Sequence, residues 1–120
     1  MTEFLGDPQV GDVWEQLAQI ITDPSIPKDK IKLAVNDVHG IINKSVIMPK
    51  NFLTQFYQME KDGKPTATWR RRVKISEITG NTVFFIRLDA QDKVISEPQG
   101  ITKKIFLETF YLPQHQMGNE

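Results

Sequence analysis

Residues 66–78 read Thr-Ala-Thr-Trp-Arg-Arg-Arg-Val-Lys-Ile-Ser-Glu-Ile, a run in which the side chains alternate with a period of two. Such alternation predicts a β-strand with two different faces. It places Trp69, Arg71, Val73 and Ile75 on one face, and Thr68, Arg70, Arg72, Lys74 and Ser76 on the other. The second face is a basic stripe. Arg71 instead shares the apolar face, which a bulge, a buried ion pair or an exposed groove would explain.

The residues that follow predict a hairpin. Residues 79–82, Thr-Gly-Asn-Thr, form a short turn signal. Residues 83–88 are so continuously apolar that we expect a central strand covered on both faces. The two strands are therefore expected to pair in an antiparallel hairpin.

The rest of this half predicts one or two further elements. Residues 89–92 form another turn signal, and residues 93–97 predict a third strand. That strand is expected to stop at Pro98, because proline cannot donate to a sheet ladder. Residues 102–112 fit either a short helix capped by Thr102 or a fourth strand. The carboxy-terminal half is thus predicted to be a meander of three or four strands.

The apolar period before Pro65 is helical. Asp7-Pro8 has the form of a helix start, and the apolar positions that follow predict a helix over residues 8–22. Gly11 weakens this interpretation, and residues 10–15 also fit a turn that enters an edge strand.

Two more helices are predicted in the same half. Apolar residues between 31 and 42 recur at i, i+3, i+4 and i+7, which is typical of an amphipathic helix. After Pro49 an apolar stripe predicts another helix, which could pack on the sheet or form a groove for a partner. This stripe contains Phe52, Leu53, Phe56, Tyr57 and Met59.

Together these patterns predict a single α+β domain spanning residues 1–120. About three amino-terminal helices, within residues 7–62, are expected to pack on the antiparallel sheet of residues 66–112. Residues 61–65, Lys-Asp-Gly-Lys-Pro, separate the two halves. Residues 113–120 have little apolar surface to bury and are expected to fray.

The order of turns in residues 66–112 resembles the meander of small SH3-like β-barrel modules. The arginine-rich first strand and the closing run Ile-Phe-Leu-Glu-Thr-Phe-Tyr-Leu carry this resemblance. Residues 10–15, Val-Gly-Asp-Val-Trp-Glu, resemble the opening strand of some small phage and bacterial members. The resemblance implies a small SH3-like barrel with a helical insertion at residues 16–65. It also implies a phage-type module that binds proteins or nucleic acids, but no functional residue carries over.

Composition limits the class of function. Fifteen basic and fifteen acidic side chains give a formal net charge of zero, so any nucleic-acid binding would need a local patch. The absence of cysteine excludes thiolate sites and suits a reducing compartment. Neither a secretory signal nor a membrane-spanning apolar run is present, so we expect a cytoplasmic protein without membrane contacts.

The candidate binding surface is the basic strand. Arginine's planar fork suits phosphate or carboxylate groups, and an adjacent tryptophan can stack on bases or pack in the core. Residues 1–23 contain five acidic side chains and no Lys or Arg, so the basic stripe could instead dock on this segment. The predicted binding residues are Trp69, Arg70, Arg71, Arg72 and Lys74.

No catalytic residue, metal or cofactor is predicted. His39 and His115 stand far apart and belong to no cluster with metal-ligand spacing. The chain also lacks a nucleophile-elbow serine and a glycine-rich phosphate loop. An enzyme is therefore not expected.

The sequence predicts a non-catalytic interaction or regulatory protein that binds a protein partner. The alternative is a nucleic-acid-binding module that uses Arg70, Arg72 and Lys74. Self-association is a further prediction, because an edge strand at residues 93–97 would offer unpaired backbone groups to a second copy.

Overall fold

The computed structural model describes residues 7–36 and 42–112, which form one antiparallel sheet of seven strands with two helical segments. A 3₁₀ helix covers Lys50–Gln55, and helix α1 covers Lys103–Thr109. The strands are β1 (Val13–Ile21), β2 (Lys30–Asn36), β3 (Ile42–Pro49), β4 (Tyr57–Lys61), β5 (Lys64–Thr79), β6 (Thr82–Leu88) and β7 (Gln99–Thr102).

The long strand β5 organises the sheet. It has 16 residues, enough to pair with β1 along one edge and with β4 and then β6 along the other. The strand order is β3-β2-β1-β5-β6-β7, with β4 beside the first half of β5. Because strands twist, a sheet of this size curls, and here it forms a half-barrel.

The prediction of amino-terminal helices is wrong. Residues 8–22 contain strand β1, and most of residues 31–42 belongs to strands β2 and β3. Apolar side chains lie on both faces of strand β1. Their positions along the sequence therefore imitate the three- and four-residue spacing of a helix, although the side chains of the strand alternate with a period of two. In β2 the informative residue is Leu33, which lies off the predicted helical stripe but is fully buried. The fold class is therefore mostly antiparallel β, not α+β.

The alternative interpretation of residues 10–15 describes the observed structure better. Gly11 forms a turn with a φ of 96°, a conformation that side chains disfavour, and β1 begins two residues later. Strand β1 lies inside the sheet, not at its edge. The helical insertion expected at residues 16–65 is absent from the described residues of that range, except for the short 3₁₀ helix after Pro49.

The carboxy-terminal half follows the prediction in part. Strands β5 and β6 pair across a tight turn at Gly80, where φ is 58°, and Thr102 caps α1 by accepting a hydrogen bond from the Ile105 amide. The strand predicted at residues 93–97 is wrong, since only Val94 forms an isolated bridge there. Strand β7 begins after Pro98 instead. The prediction that residues 83–88 form the central strand is also wrong, because these residues lie in β6 and the central strands are β1 and β5.

Residues 93–97 pair with residues 87–89 only in part, through backbone hydrogen bonds from the Asp89 amide to the Lys93 carbonyl and from the Ile95 amide to the Arg87 carbonyl. Side chains take the place of other ladder bonds. The Asp89 carboxylate accepts hydrogen bonds from the amides of Gln91 and Lys93. The Ser96 hydroxyl accepts one from the Arg87 amide. These side chains satisfy backbone groups that a strand would otherwise pair. The edge proposed for self-association is therefore not a strand. The predictions for His39 and for residues 113–120 lie outside the described residues.

The core consists of two apolar clusters on one face of the sheet, here called the inner face. The first cluster surrounds Phe106 and Phe110 of the α1 region, and the second lies under the 3₁₀ helix. Buried members of the first are Trp14, Val73, Ile75, Val83, Phe85, Phe106 and Phe110, and those of the second are Ala18, Ile31, Leu33, Val35 and Phe56. Each helical segment therefore covers one half of the inner face.

Replacing Phe106 with alanine is expected to lower the free energy of unfolding by about 3–5 kcal/mol, because a buried ring is removed from the first cluster. The ring is fully buried and packs edge-on against Trp14, with centroids 5.2 Å apart. Urea unfolding of wild type and variant measures the loss. The neighbouring Ile105→Ala is the control, because Ile105 is 49% exposed, and its change should stay within about 0.5 kcal/mol. Equal losses would contradict the assignment of the core.

Candidate functional site

The predicted basic stripe lies together on the outer face of the sheet. Pairing of β1 with β5 places Lys74 opposite Val13, Arg72 opposite Glu15, and Arg70 opposite Leu17. Residues paired across a ladder share a face, and alternation keeps these three basic residues on the same side. The predicted facing of the strand is therefore confirmed.

Two cations of the stripe are neutralised within the chain. The Arg70 Nε lies 2.7 Å from the Glu15 Oε1, and the Glu15 side chain is only 4% exposed. These two atoms are close but poorly aligned for a hydrogen bond, so the contact is an ion pair. Arg72 pairs with the exposed Asp92. Lys74 is exposed and makes no ion pair with any described residue.

Tyr111 completes the surroundings of Glu15. Its backbone exchanges two 2.9 Å hydrogen bonds with the Glu15 backbone, where β2 has diverged from β1. Burial raises the pKa of Tyr111 to about 12, and the nearby negative charge of Glu15 and a hydrogen bond to that carboxylate add to the effect. Arg70 acts in the opposite direction. Of the basic stripe, Arg70 therefore does contact the acidic amino-terminal segment, through its ion pair with Glu15.

Arg71 lies on the inner face, in the seam between the two core clusters. It is 92% buried, its Nη1 donates a 2.7 Å hydrogen bond to the Gln55 Oε1, and its Nε has no hydrogen-bond partner among the described residues. Three aromatic rings surround the guanidinium. The distance from Arg71 Cζ to the ring centroid is 4.6 Å for Phe110, 5.3 Å for Phe52 and 5.4 Å for Phe56. Burial, with Arg87 nearby, lowers the pKa of Arg71 to about 10, so it stays charged at neutral pH.

Gln16 faces Arg71 across the β1–β5 ladder. The two residues are register partners, and both line an open cleft of about 550 Å³. Gln16 is only 7% exposed, and its Oε1 is buried without a hydrogen-bond partner among the described residues. The other lining residues are Val35, Asn36, Lys44, Val46, Met48, Phe52, Glu108 and Thr109. This inner cleft is an apolar-walled cavity with a polar floor.

A second groove lies on the outer face, beside Lys74. It has a volume of about 580 Å³ and includes Val10, Val13, Ile86 and Val94 in its lining. Val10 is 63% exposed and Val94 is 52% exposed, so apolar surface here faces solvent. Lys74 and Asp92 also line this outer groove.

The sequence therefore predicted the strand that carries the candidate binding residues, but it did not predict that these residues divide between two separate sites. Arg70, Arg72 and Lys74 share the outer face, whereas Arg71 and Trp69 belong to the inner face, where Trp69 packs on the second cluster. Gln16 was missed, because the predicted helix put it on a solvated side. Strand alternation would have found it between Trp14 and Ala18, since a glutamine between two inward apolar positions is unusual.

Over residues 7–36 and 42–112, no three His, Asp or Glu side chains lie close enough together to hold a metal ion. In the same residues no helix is both long and apolar enough to cross a membrane. Comparison with protein-family models, with curated proteins and with solved structures finds no match for this chain.

Replacing Glu15 with glutamine is expected to lower the free energy of unfolding by about 1–3 kcal/mol, because Arg70 loses a buried counter-charge. Asp92→Asn is the matched control, since it removes the partner of Arg72 at an exposed site and should cost less than about 1 kcal/mol. Urea unfolding at neutral pH measures both. A larger loss for Asp92→Asn would contradict the structural role of Glu15.

The shifted pKa of Tyr111 predicts a stability change at high pH. Folding favours the neutral phenol, so this contribution is complete below the ordinary pKa of 10.0 and is lost as pH rises through about 12. Ultraviolet titration of tyrosinate should show Tyr111 ionising in this upper range, and Tyr111→Phe should remove that transition. In Glu15→Gln the transition should move to lower pH. Ionisation of Tyr111 at its ordinary value would contradict the described contact.

Proposed function

We propose that this chain is a non-catalytic binding module whose partner is another protein, held at the outer groove. The supporting observation is exposed apolar surface that lines a cavity. Val10 and Val94 are more than half exposed beside Val13 and Ile86. Grooves of this kind accept apolar side chains, and burying them supplies most of the free energy of protein association.

Charge at the groove narrows the chemistry of the partner. Lys74 lines the groove and has no counter-charge among the described residues, while Asp92 is already paired with Arg72. An apolar side chain flanked by a carboxylate would satisfy both the groove and Lys74. The partner is therefore proposed to present an acidic, apolar segment.

The half-barrel curl of the sheet is compatible with the resemblance to SH3-like modules, which bind proteins or nucleic acids. Nucleic-acid binding is the weaker alternative. Glu15 and Asp92 offset the charge of Arg70 and Arg72, so the stripe offers one uncompensated cation, Lys74. Affinity for phosphate backbones grows with the number of free cations, and a single one supports little binding.

Affinity capture tests the proposal. The immobilised chain should retain a specific set of proteins from a lysate of the organism of origin, and Val94→Asp should lose them by about tenfold or more, because it places a charge in the apolar groove. Quantitative mass spectrometry of the eluates measures the difference. Val94 is exposed, so its replacement should leave stability nearly unchanged.

The control is Ile47→Asp, which changes an equally exposed apolar residue on strand β3, far from the outer groove. It should retain the same proteins as wild type. Equal capture by wild type and Val94→Asp would refute the groove as the binding site. A gel-shift complex at low salt that disappears when Arg70, Arg72 and Lys74 become glutamine would support the nucleic-acid alternative instead.

A further inference from the structure

We propose that the inner cleft is a second binding site, for a small organic oxyanion with an apolar body. Its acidic group, a carboxylate or a phosphate monoester, would lie against Arg71 and Gln16. The site is on the face opposite the outer groove, so it does not depend on the proposed protein partner.

The environment of Arg71 supports the acidic group. A buried cation is stable when a carboxylate pairs with it, but none of the ion pairs among the described residues includes Arg71. The neutral amide of Gln55 and three phenylalanine rings offset only part of the cost of burial. The nearby cation Arg87 adds to that cost, because its charge has the same sign. The remaining unsatisfied positive charge lines the inner cleft, where an anion can reach it.

The neighbours of Arg71 add polar groups at the same place. Gln16 is its register partner, so their side chains leave the sheet side by side. Lys44 lies on the same face, opposite Val35, and its exposed side chain lines the same cavity. The Arg71 guanidinium and the Gln16 Nε2 are both hydrogen-bond donors, so together they can donate to the oxygens of a planar or tetrahedral oxyanion.

The walls of the cleft support the apolar body. Val35, Val46, Met48 and Phe52 line it, which favours a hydrocarbon chain or ring over a hydrated inorganic ion. Its volume of about 550 Å³ is within the usual range for small-ligand sites. Glu108 is the unfavourable group, because it also lines the cleft and carries negative charge. Its effect on an anion is opposite in sign to that of Lys44.

Titration of the full chain with hexanoate, hexyl phosphate and uncharged hexanol tests the site. At least one acid should bind about tenfold or more tightly than hexanol, because only the acids can pair with Arg71. In nitrogen–proton NMR spectra the Gln16 amide and the Arg71 Nε–H signals should move with the acid and not with the alcohol. The tighter of the two acids identifies the preferred oxyanion.

Variants give effects of opposite sign. Lys44→Gln should weaken acid binding by about two- to fivefold, and Glu108→Gln should tighten it by a similar factor. Arg71→Lys should weaken it by about tenfold, since lysine lacks the planar fork. Lys61→Gln is the control for a lost surface charge away from the cleft, and it should leave affinity unchanged.

Three results would overturn the proposal. These are equal binding of both acids and the alcohol, NMR shifts confined to residues outside the cleft, and Lys44→Gln and Glu108→Gln effects of the same sign. The last comparison uses two exposed residues, so it stays informative even where Arg71→Lys fails to fold.

Discussion

The antiparallel pairing of β1 with β5 is the constraint on which the rest of the structure depends. Its register places Gln16 opposite Arg71 on the inner face and brings Glu15 to Arg70 on the outer face. Because side chains alternate across a strand, a slip of one residue in β1 would move Trp14 out of the core. The same slip would separate both polar pairs. Register thus determines the core and both candidate sites together.

Polar groups at the seam divide the inner face into two clusters. Trp14 belongs to the first cluster and Ala18 to the second, and Gln16 lies between them on the same strand. Apolar residues in place of Gln16 and Arg71 would merge the two clusters into one core and avoid the cost of burying the Arg71 charge. The cost is offset in part by aromatic contacts and by Gln55. Positions where a sequence departs from the pattern that best stabilises its fold are commonly functional.

The sequence was sufficient to predict the β5–β6 hairpin, because residues 68–75 alternate with Arg71 as the one exception and Gly80 supplies a turn conformation. It was insufficient for β1 and β2, where apolar side chains on both faces imitate helical spacing. Arg71 could be identified as an exception from local alternation alone. Its partner Gln16 could not, because that pairing joins residues far apart in the chain and depends on register that no local pattern encodes.

Three consecutive arginines illustrate why charge in a sequence does not by itself indicate a binding surface. Arg70 meets a buried carboxylate, Arg72 meets an exposed one, and Arg71 meets aromatic rings and an amide. A cation with a carboxylate partner has little electrostatic free energy left for a ligand, whereas an unpaired cation keeps it. Of the four basic residues predicted to bind, Arg71 on the inner face and Lys74 on the outer face are therefore the two whose charge remains available. Ligands of the two faces are expected to bind independently, since the two sites share no charged side chain.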